Sequence, residues 1–260
     1  MFSPESLREQ KLAPSPISWI PIRTDVQLSE AALKQSTELP AISRWNASLG
    51  KRLFDIFVSI AVLAVFALPM SAIAVLIRLT SPGPALFVQK RVGRRRELFA
   101  MYKFRSMCVC SGSETGPTLT RDGDNRITPV GRILRKLKLD ELPQFYNVLR
   151  GDMSLIGPRP KLPQYAAITN MPFRPGISGA ATLAFRREEE VLRHVHPSQL
   201  DAFYNRHIRP LKASIDLHYM AHATFWTDLQ LLFATFWACI SPEAVPVVDL
   251  PVDVPERLSA

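Results

Sequence analysis

The longest feature of the hydropathy pattern is an apolar stretch that runs from Leu53 to Leu79. Its only interruptions are Asp55, Ser59, Pro69, Ser71 and Arg78. A helix of about 20 apolar residues is enough to cross the hydrocarbon core of a bilayer, and a buried helix of this length is rare in a soluble protein. The pattern therefore predicts a membrane-inserted helix, to which we assign residues 45–80.

The charges around this stretch and the proline within it indicate how the helix inserts. Lys51 and Arg52 precede it, and Arg78 and the basic segment from Lys90 to Arg96 follow it. Basic flanks favour the cytoplasmic face, and Pro69 removes a helical hydrogen bond and permits a sharp bend. A re-entrant, kinked helix that enters and leaves by the same face satisfies both observations. A straight span with a non-cytoplasmic N-terminus is the alternative.

Shorter periodic segments follow the membrane helix. Ala85 to Arg91 and Leu98 to Phe104 are typical of two strands, joined by a basic turn from Gly93 to Arg96. Residues 108–127 are rich in Ser, Gly, Thr and Asp and predict a long loop. Because loops of this length in compact domains are usually functional or mobile, we expect it to border the site.

A helix is predicted to begin at Thr128, since a capping residue followed by Pro129 is a typical start signal. Ile133, Leu134 and Leu137 then recur at helical spacing. The residues between and after them are basic: Arg132, Arg135, Lys136 and Lys138. The end of this helix is therefore positively charged just before Asp140.

The C-terminal third is predicted to be helical over residues 186–222, with breaks at Pro197 and Pro210. Phe225 to Ile240 is apolar but short for a span, so it is expected to be an interfacial or core helix, with Trp226 and Trp237 suited to the headgroup boundary. Residues 1–44 and 241–260 show no sustained period and are expected to be irregular tails.

The charge balance narrows the class of ligand. Lys and Arg number 32 against 23 Asp and Glu, a formal charge of +9, which points to nucleic acid, anionic lipid or phosphorylated ligands. The chain lacks the interleaved aromatic and basic residues of single-strand platforms, so we predict no nucleic-acid partner. It also lacks the glycine-rich loops of nucleotide hydrolases and dehydrogenases.

Cysteine and histidine usage does not indicate a metal or disulfide framework. The 3 cysteines fit neither, and are expected to be free thiols in a reducing compartment. His218 and His222 are four residues apart, but no His-Glu-x-x-His pattern frames them. Ordinary surface or interface histidines are therefore favoured over zinc ligands.

The candidate chemistry centres on the adjacent carboxylates of Asp140 and Glu141, which follow the basic helix and precede the turn Pro158-Arg159-Pro160. In one interpretation Asp140 caps a helix, with Glu141 in the first turn. In the other the carboxylates and the basic residues bind an anionic, phosphorylated substrate through charge-assisted hydrogen bonds. The two roles are compatible, because helix N-termini also bind phosphate.

Five sequence blocks resemble one protein family. They are Lys51 to Asp55, Ser81 to Gly93, Lys103 to Met107, Asp140 to Pro160, and Arg174 to Gly179. In this order they are similar to the monotopic phosphoglycosyl transferases, bacterial sugar transferases that start glycan assembly on polyprenyl phosphate. The chain departs from the usual family pattern at Leu68, where a Ser usually precedes the proline, and in residues 180–190, which bear on nucleotide-sugar specificity.

The resemblance implies a phosphosugar transfer that proceeds in two steps. Asp140 would attack the sugar-proximal phosphate of a uridine diphosphate sugar (UDP-sugar), with Glu141 as its partner, and polyprenyl phosphate would then accept the phosphosugar. Mg²⁺ is implied at Asp140 and Glu141, since two phosphates and two carboxylates in one cleft require neutralisation. The residues expected to bind substrate are Lys103, Arg105, Arg135, Arg159, Pro160 and Arg174.

The expected fold is a mainly helical α+β domain with a small β-hairpin, seated on the membrane by the re-entrant helix and by interfacial amphipathic helices. Residues 81–240 would form the catalytic domain, on the cytoplasmic face of the bacterial inner membrane. The expected partners are a UDP-sugar, polyprenyl phosphate and membrane lipid; monomer and homo-oligomer both remain open. The alternative function is a catalytically inactive membrane scaffold of a glycan-assembly complex.

Overall fold

The structure is a computed structural model that describes residues 42–108, 126–163, 172–188, 192, 195–196 and 199–241. Most of the two predicted tails and of the predicted loop at 108–127 lies outside the described residues. Within the described ranges the chain is mainly helical, with a small antiparallel hairpin and one long apolar helix. The predicted α+β class is confirmed at this level.

The predicted apolar helix is present as α1, Leu49–Thr80, which is 32 residues long. The Ser48 hydroxyl caps it by accepting a hydrogen bond from the Lys51 N–H at 3.1 Å. Pro69 lies inside the helix. Within the described part of the chain, α1 is the one helix long and apolar enough to cross a membrane, and 6% of its most apolar window is buried.

Two strands follow α1 as predicted. β1 (Leu86–Val92) pairs antiparallel with β2 (Leu98–Phe104), with Leu86 opposite Phe104 and Val92 opposite Leu98. A 3₁₀ turn, Arg94–Arg96, connects them at the predicted basic turn. The hairpin therefore brings the end of β2 back beside the end of α1.

The central segment contains α2 (Pro129–Lys136), a 3₁₀ turn (Leu139–Glu141) and α3 (Gln144–Arg150). As predicted, Thr128 caps α2: its hydroxyl accepts from the Gly131 N–H at 2.9 Å. β3 (Ser154–Ile156) then pairs in parallel with β4 (Gly176–Ser178). A Cβ atom at Gly176 would lie 2.2 Å from the backbone nitrogen of Gly157, so only glycine fits this close approach.

The remaining described helices pack around this pair of strands. They are α4 (Ala180–Ala184), α5 (Leu200–Phe203), α6 (Arg209–His222) and α7 (Phe225–Ile240), with a π-helical turn (Tyr204–Ile208) between α5 and α6. Pro210, predicted as a break, lies in the first turn of α6, where a missing N–H costs little. The short apolar helix predicted for Phe225 to Ile240 has those bounds in the structure.

Two apolar clusters hold the elements together. The larger one includes Val148, Met153, Leu155 and Leu231, each at most 1% exposed, and joins α3, β3 and α7. The smaller one consists of Ile77, Phe104, Leu134 and Leu142. It packs the end of α1 against β2, α2 and the segment after Glu141, so it fixes the position of the two adjacent carboxylates relative to α1.

A buried polar network fixes the other end of α1. The Lys51 ammonium contacts Asp55 at 2.9 Å and Asp228 of α7 at 2.7 Å. The Tyr219 hydroxyl donates to Asp228 at 2.6 Å, and the Ser154 hydroxyl donates to Asp55 at 2.8 Å. Buried charges need such partners, because an unpaired charge in a low-dielectric interior is costly. Both ends of α1 are therefore bound to the same domain.

Candidate active site

Asp140 and Glu141 lie in the 3₁₀ turn that follows α2, and they are 6% and 8% exposed. Lys138 precedes the turn in the left-handed backbone conformation, with φ of 57°. This conformation turns the chain sharply after the basic helix. Asp140 does not act as a helix cap, because Lys138 precedes the 3₁₀ turn, Pro143 precedes α3, and neither helix start has a side-chain cap.

Glu141 is surrounded by cations. The Arg159 guanidinium forms an ion pair with its Oε1 atom, and the Lys103 ammonium lies 3.6 Å from the same oxygen. Burial alone would raise the pKa of Glu141, but Arg159, followed by Lys103 and Lys138, holds this pKa well below its usual range. Glu141 is thus a permanently charged group whose main partners are already in place.

Asp140 has the opposite environment. Its Oδ1 atom is buried and has no hydrogen-bond partner in the structure. Burial, and then the neighbouring charge of Glu141, raises the pKa of Asp140, while Lys103, Lys138 and Arg135 oppose the rise. The two adjacent carboxylates therefore differ: one is paired with cations and one presents an oxygen without a donor.

Lys103 and Arg91 come to the site from opposite strands of the hairpin. Burial is the main cause that lowers the pKa of Lys103 to about 8, and Glu141 opposes it. Burial and then Arg159 lower the pKa of Arg91 to about 10. Arg91 also donates to the Pro160 carbonyl at 3.0 Å, which holds the turn that carries Arg159.

The structure brings several of the predicted substrate-binding residues together and separates others. Lys103 and Arg159 contact Glu141, Arg135 is close enough to influence the pKa of Asp140, and Pro160 lies in the adjoining turn. Arg105 instead donates to the Ser81 and Pro82 carbonyls at 2.8 and 2.7 Å, after the last turn of α1.

Arg174 also lies apart from the two carboxylates. Its Nε atom donates to the Gly151 carbonyl at 2.7 Å, at the end of α3. It lines a cavity with residues from the start of α1, and none of Lys103, Asp140, Glu141 and Arg159 lines that cavity.

The sequence analysis did not single out two further residues of the site. Arg91 lies inside one of the five family-like blocks, but only the hairpin register shows that it reaches the Arg159 turn. Gln144, four residues after Asp140, is 2% exposed and its Nε2 atom has no partner. It follows the Asp-Glu-Leu-Pro segment directly in the sequence.

The amide of Asn147 holds α3 against β2. Its Nδ2 atom donates to the Ala100 carbonyl at 2.7 Å, and its Oδ1 atom accepts from the Tyr102 N–H at 3.1 Å. Asn147 is fully buried, so both ends of the amide need these partners. The contact fixes β2, which carries Lys103, relative to the turn that carries Glu141.

The carboxylates of the site are the groups that could hold Mg²⁺, which prefers oxygen ligands. Within the described residues no group of three or more His, Cys, Asp and Glu side chains is placed to hold a metal. Mg²⁺, however, is usually held by one or two carboxylates together with substrate phosphates and water. The partnerless Oδ1 of Asp140 suits that mode, whereas Glu141 already has Arg159 and Lys103 as partners.

This arrangement can bring a second anion to a carboxylate. Cations around Glu141 offset the charge of the site, and the free oxygen of Asp140 is available for attack on an electrophile or for metal binding. Preorganised charges in a buried site act more strongly than in water, since the local dielectric is low. A phosphorylated substrate is the ligand whose charge matches these groups.

Comparison with known proteins agrees with this chemistry. The model of a family described as bacterial sugar transferase matches residues 46–242. The chain is 42% identical over 194 residues, 71% of its length, to an Aeromonas hydrophila UDP-N-acetylgalactosamine-undecaprenyl-phosphate N-acetylgalactosaminephosphotransferase. It is 35% identical over 206 residues, 75% of its length, to a Komagataeibacter xylinus undecaprenyl-phosphate glucose phosphotransferase.

A third relative is similar over more of its own length. The chain is 35% identical over 217 residues, 78% of its length, to a Caulobacter vibrioides UDP-glucose:undecaprenyl-phosphate glucose-1-phosphate transferase, and the match covers 73% of that protein. The matches cover 42% of the Aeromonas protein and 36% of the Komagataeibacter protein. The chain thus spans less than half the length of these two relatives.

Proposed function

Because the chain belongs to the bacterial sugar transferase family, we propose that it transfers a sugar-1-phosphate from a UDP-sugar to polyprenyl phosphate. The observation that carries this proposal is the buried, partnerless Oδ1 of Asp140 beside a Glu141 that Arg159 and Lys103 already neutralise. The names of the relatives support undecaprenyl phosphate as the acceptor and a UDP-sugar as the donor. The product would initiate an exopolysaccharide, capsule or O-antigen repeat.

In the first step the ionised carboxylate of Asp140 attacks the phosphorus that bears the sugar. A bond forms between the Asp140 oxygen and this phosphorus, and the pyrophosphate bond breaks, so uridine monophosphate leaves with the bridging oxygen. A covalent intermediate is useful because it divides one displacement between anions into two easier ones. Lys103 and Arg159 offset the negative charge that the donor phosphates bring to the site.

In the second step an oxygen of polyprenyl phosphate attacks the same phosphorus. The acyl phosphate bond breaks, Asp140 regains its carboxylate, and the product is a polyprenyl diphosphate sugar. Since uridine monophosphate leaves before the acceptor reacts, the kinetics should be ping-pong. Glu141 remains ionised throughout and keeps Lys103 and Arg159 in position.

A magnesium ion would be held by the carboxylate of Asp140, with Glu141 adjacent and the donor phosphates as further oxygen ligands. When bound, Mg²⁺ would supply charge neutralisation between the phosphates and the carboxylate.

The proposed acceptor requires that the domain lie at the membrane surface, because the acceptor's phosphate lies at the headgroup plane while its chain stays in the hydrocarbon. We propose that α1 is re-entrant and that the domain lies on the cytoplasmic face of the inner membrane. A straight helix of 32 residues would be about 48 Å long, longer than the hydrocarbon core of about 30 Å. The binding of both ends of α1 to one domain supports the re-entrant arrangement.

Exposed apolar side chains on α7 support an interfacial role for this helix. Trp226, Phe233 and Phe236 are each more than 60% exposed, while Leu231 and Ala234 on the other side of the helix are buried. A helix with one face packed and an aromatic face open suits the boundary between headgroups and hydrocarbon. We therefore assign α7 to the membrane surface.

The test uses the full chain purified in detergent, with Mg²⁺, undecaprenyl phosphate and a panel of UDP-sugars that begins with UDP-glucose and UDP-N-acetylgalactosamine. We expect one of these sugars to give release of uridine monophosphate and a lipid-linked sugar. Donor alone should give a mass increase of one phosphosugar on the peptide that contains Asp140.

The Asp140→Asn variant should fold and lose both products by on the order of 10³-fold or more. Undiminished lipid-linked product from Asp140→Asn would contradict the nucleophile assignment. Failure of the unmodified chain to release uridine monophosphate with any sugar would favour the inactive scaffold.

A further inference from the structure

A cavity of about 160 Å³ lies at the start of α1, away from the two site carboxylates. Its walls come from residues 42–55, the turn between β1 and β2, β3, and the segment before β4. None of Lys103, Asp140, Glu141 and Arg159 is among its lining residues. The volume is well above the roughly 10–15 Å³ of cavity volume that one water molecule needs, so a phosphate group fits.

Three arginines from separate parts of the sequence line this cavity: Arg52, Arg94 and Arg174. Each is anchored by backbone carbonyls. Arg52 donates to the Val148 and Leu149 carbonyls, Arg94 to the Pro172 carbonyl and Arg174 to the Gly151 carbonyl. In the described part of the chain no carboxylate forms an ion pair with any of the three.

The anchoring leaves donors available for a ligand. A guanidinium has five N–H groups, and the bonds of Arg94 and Arg174 to carbonyls use only the Nε–H of each. The one carboxylate of the cavity, Asp55, is already paired with Lys51, and it also accepts from Ser154 and from the Leu155 N–H. The cavity therefore has unpaired positive charge and free donors, and its one carboxylate already has partners.

Two further features of the cavity favour an anion. Burial lowers the pKa of Arg174, the positive charges of Arg52 and Arg94 lower it further, and Asp55 opposes the shift. The capped N-terminus of α1 at Ser48 also lines the cavity. The N-terminal end of a helix carries partial positive charge, so it adds to the field of the arginines.

We propose that this cavity binds the headgroup phosphate of an anionic phospholipid. The residues of α1 directly after Arg52 include Leu53 and Phe57, which are apolar and 66% and 74% exposed. Trp226, 68% exposed, lies against Phe225, whose ring packs on Trp45. The cavity is thus bordered by the apolar surface that would enter the hydrocarbon, and a phosphate there lies at headgroup level.

The bound lipid is a non-reacting one. In the proposed reaction the acceptor phosphate has to reach Asp140, and no residue that contacts either site carboxylate lines this cavity. A phospholipid held here would instead fix the start of α1 relative to the membrane surface. This inference goes beyond the proposed function, and lipid binding does not require turnover.

The test is lipid binding by the full chain in a non-ionic detergent. Dioctanoyl phosphatidylglycerol is titrated, and binding is followed by native mass spectrometry and by the shift in melting temperature. The comparison ligands are dioctanoyl phosphatidylcholine, inorganic phosphate and undecaprenyl phosphate. We expect phosphatidylglycerol to bind most tightly and to raise the melting temperature.

Matched variants separate the cavity from general positive charge. Arg94→Gln with Arg174→Gln should weaken phosphatidylglycerol binding at least about tenfold, equivalent to about 1.4 kcal/mol. Arg95→Gln with Arg96→Gln removes the same charge from the turn that carries Arg94, but neither residue lines the cavity. This control and Asp140→Asn should bind phosphatidylglycerol like the unmodified chain.

Several outcomes would overturn the proposal. One is that the Arg94 and Arg174 variant binds phosphatidylglycerol as tightly as the unmodified chain does. Another is that the Arg95 and Arg96 control loses as much binding as that variant. A third is that phosphatidylcholine or inorganic phosphate binds as tightly as phosphatidylglycerol. Loss of undecaprenyl phosphate binding in the Arg94 and Arg174 variant would assign the cavity to the acceptor instead. If the double variant does not fold, the single variant Arg94→Gln tests the proposal. Arg94 is exposed, and its side chain donates to the Pro172 carbonyl.

Discussion

At the scale of single residues, Glu141 and its cations set the charge of the site. Arg159 pairs with Glu141 and Lys103 lies 3.6 Å from it, so both cations stay beside Asp140 before any substrate binds. Preorganised charges need no rearrangement during the reaction, which is why such groups contribute strongly to rate. The arrangement predicts that the reaction rate depends on the planar guanidinium geometry of Arg159 as well as on its charge.

We predict that Arg159→Gln lowers kcat on the order of 10²-fold, since removal of one preorganised donor has an effect of this size. Arg159→Lys keeps the charge but loses the planar fork, so it should recover only part of the loss. Steady-state release of uridine monophosphate gives kcat and KM for each variant. Arg96→Gln, at an exposed position of the hairpin turn, is the control and should keep both constants; full activity of Arg159→Gln would contradict the role.

Asp216 on α6 predicts a pH dependence of stability. Burial raises its pKa to about 7, and Lys161 and Lys212 oppose the rise, while the unfolded chain titrates near 3.9. The folded chain therefore holds the proton between about pH 4 and pH 7 after the unfolded chain has lost it. By linkage, the free energy of unfolding falls as pH rises through this window.

The variant Asp216→Asn should remove this dependence. We expect it to melt at a higher temperature than the unmodified chain at pH 8, with the difference shrinking at pH 5. Melting temperatures across this range provide the measurement. Asp201→Asn, an exposed carboxyl on α5, is the control and should follow the unmodified chain; a constant difference at all pH values would show that Asp216 is ionised in the folded state.

At the scale of elements, the packing of the start of α1 depends on a charged residue that lies far away in the sequence. Lys51 neutralises Asp55 and Asp228, and loss of one partner from a buried ionic cluster costs about 3–5 kcal/mol. We predict that Lys51→Met destabilises the chain by about this amount, because two carboxylates then remain together without a cation. Thermal unfolding in detergent is the measurement.

Two companion variants sharpen that experiment. Lys51→Met combined with Asp228→Asn removes one of the two repelling charges and should regain part of the stability. Lys90→Met, at an exposed position on β1, deletes the same charge and should have little effect. A stable Lys51→Met chain would show that the network does not hold α1.

Local sequence patterns predicted the helices and strands, but they did not predict the contacts between residues that are distant in sequence. The hairpin, the Thr128 cap and α7 follow from period, turn residues and capping, which act over a few positions. The role of Asp228 depends on partners such as Trp45, 183 positions away. Nothing near Asp228 in the sequence indicates that it is fully buried.

In the candidate site, too, local features could be predicted and contacts distant in sequence could not. Asp140 and Glu141 could be found from the sequence because they are adjacent and follow a basic helix. The different surroundings of the two carboxylates could not be predicted from the sequence. These surroundings depend on the left-handed backbone of Lys138 and on Arg159, which approaches from a separate turn. Arg105 was expected to bind substrate together with Lys103, but it lies just beyond β2 and bonds the chain after α1.

At the scale of the whole molecule, the re-entrant arrangement predicts that both flanks of α1 face the same side of the membrane. Single cysteines at Ala47 and Pro84, both exposed, can be tested in a chain whose native cysteines are replaced. In inside-out vesicles a membrane-impermeant maleimide should label both positions. Labelling of only one would support a straight span.

The proline should be required for this topology. Pro69→Ala restores a backbone donor and removes the clash that permits the bend, so it should shift part of the population to labelling from opposite sides. Leu68→Ala, next to it, is the control and should keep both flanks accessible from one side. Unchanged labelling in Pro69→Ala would mean that the bound ends of α1 determine the topology without the proline.

The polar network at the start of α1 also sets an order of events during biosynthesis. A ribosome completes Lys51 and Asp55 well before it synthesises Asp228, which lies on the last described helix. Until then the nascent chain contains α1 without the carboxylate that completes the contact. The start of α1 can therefore reach its final packing only after α7 has been synthesised.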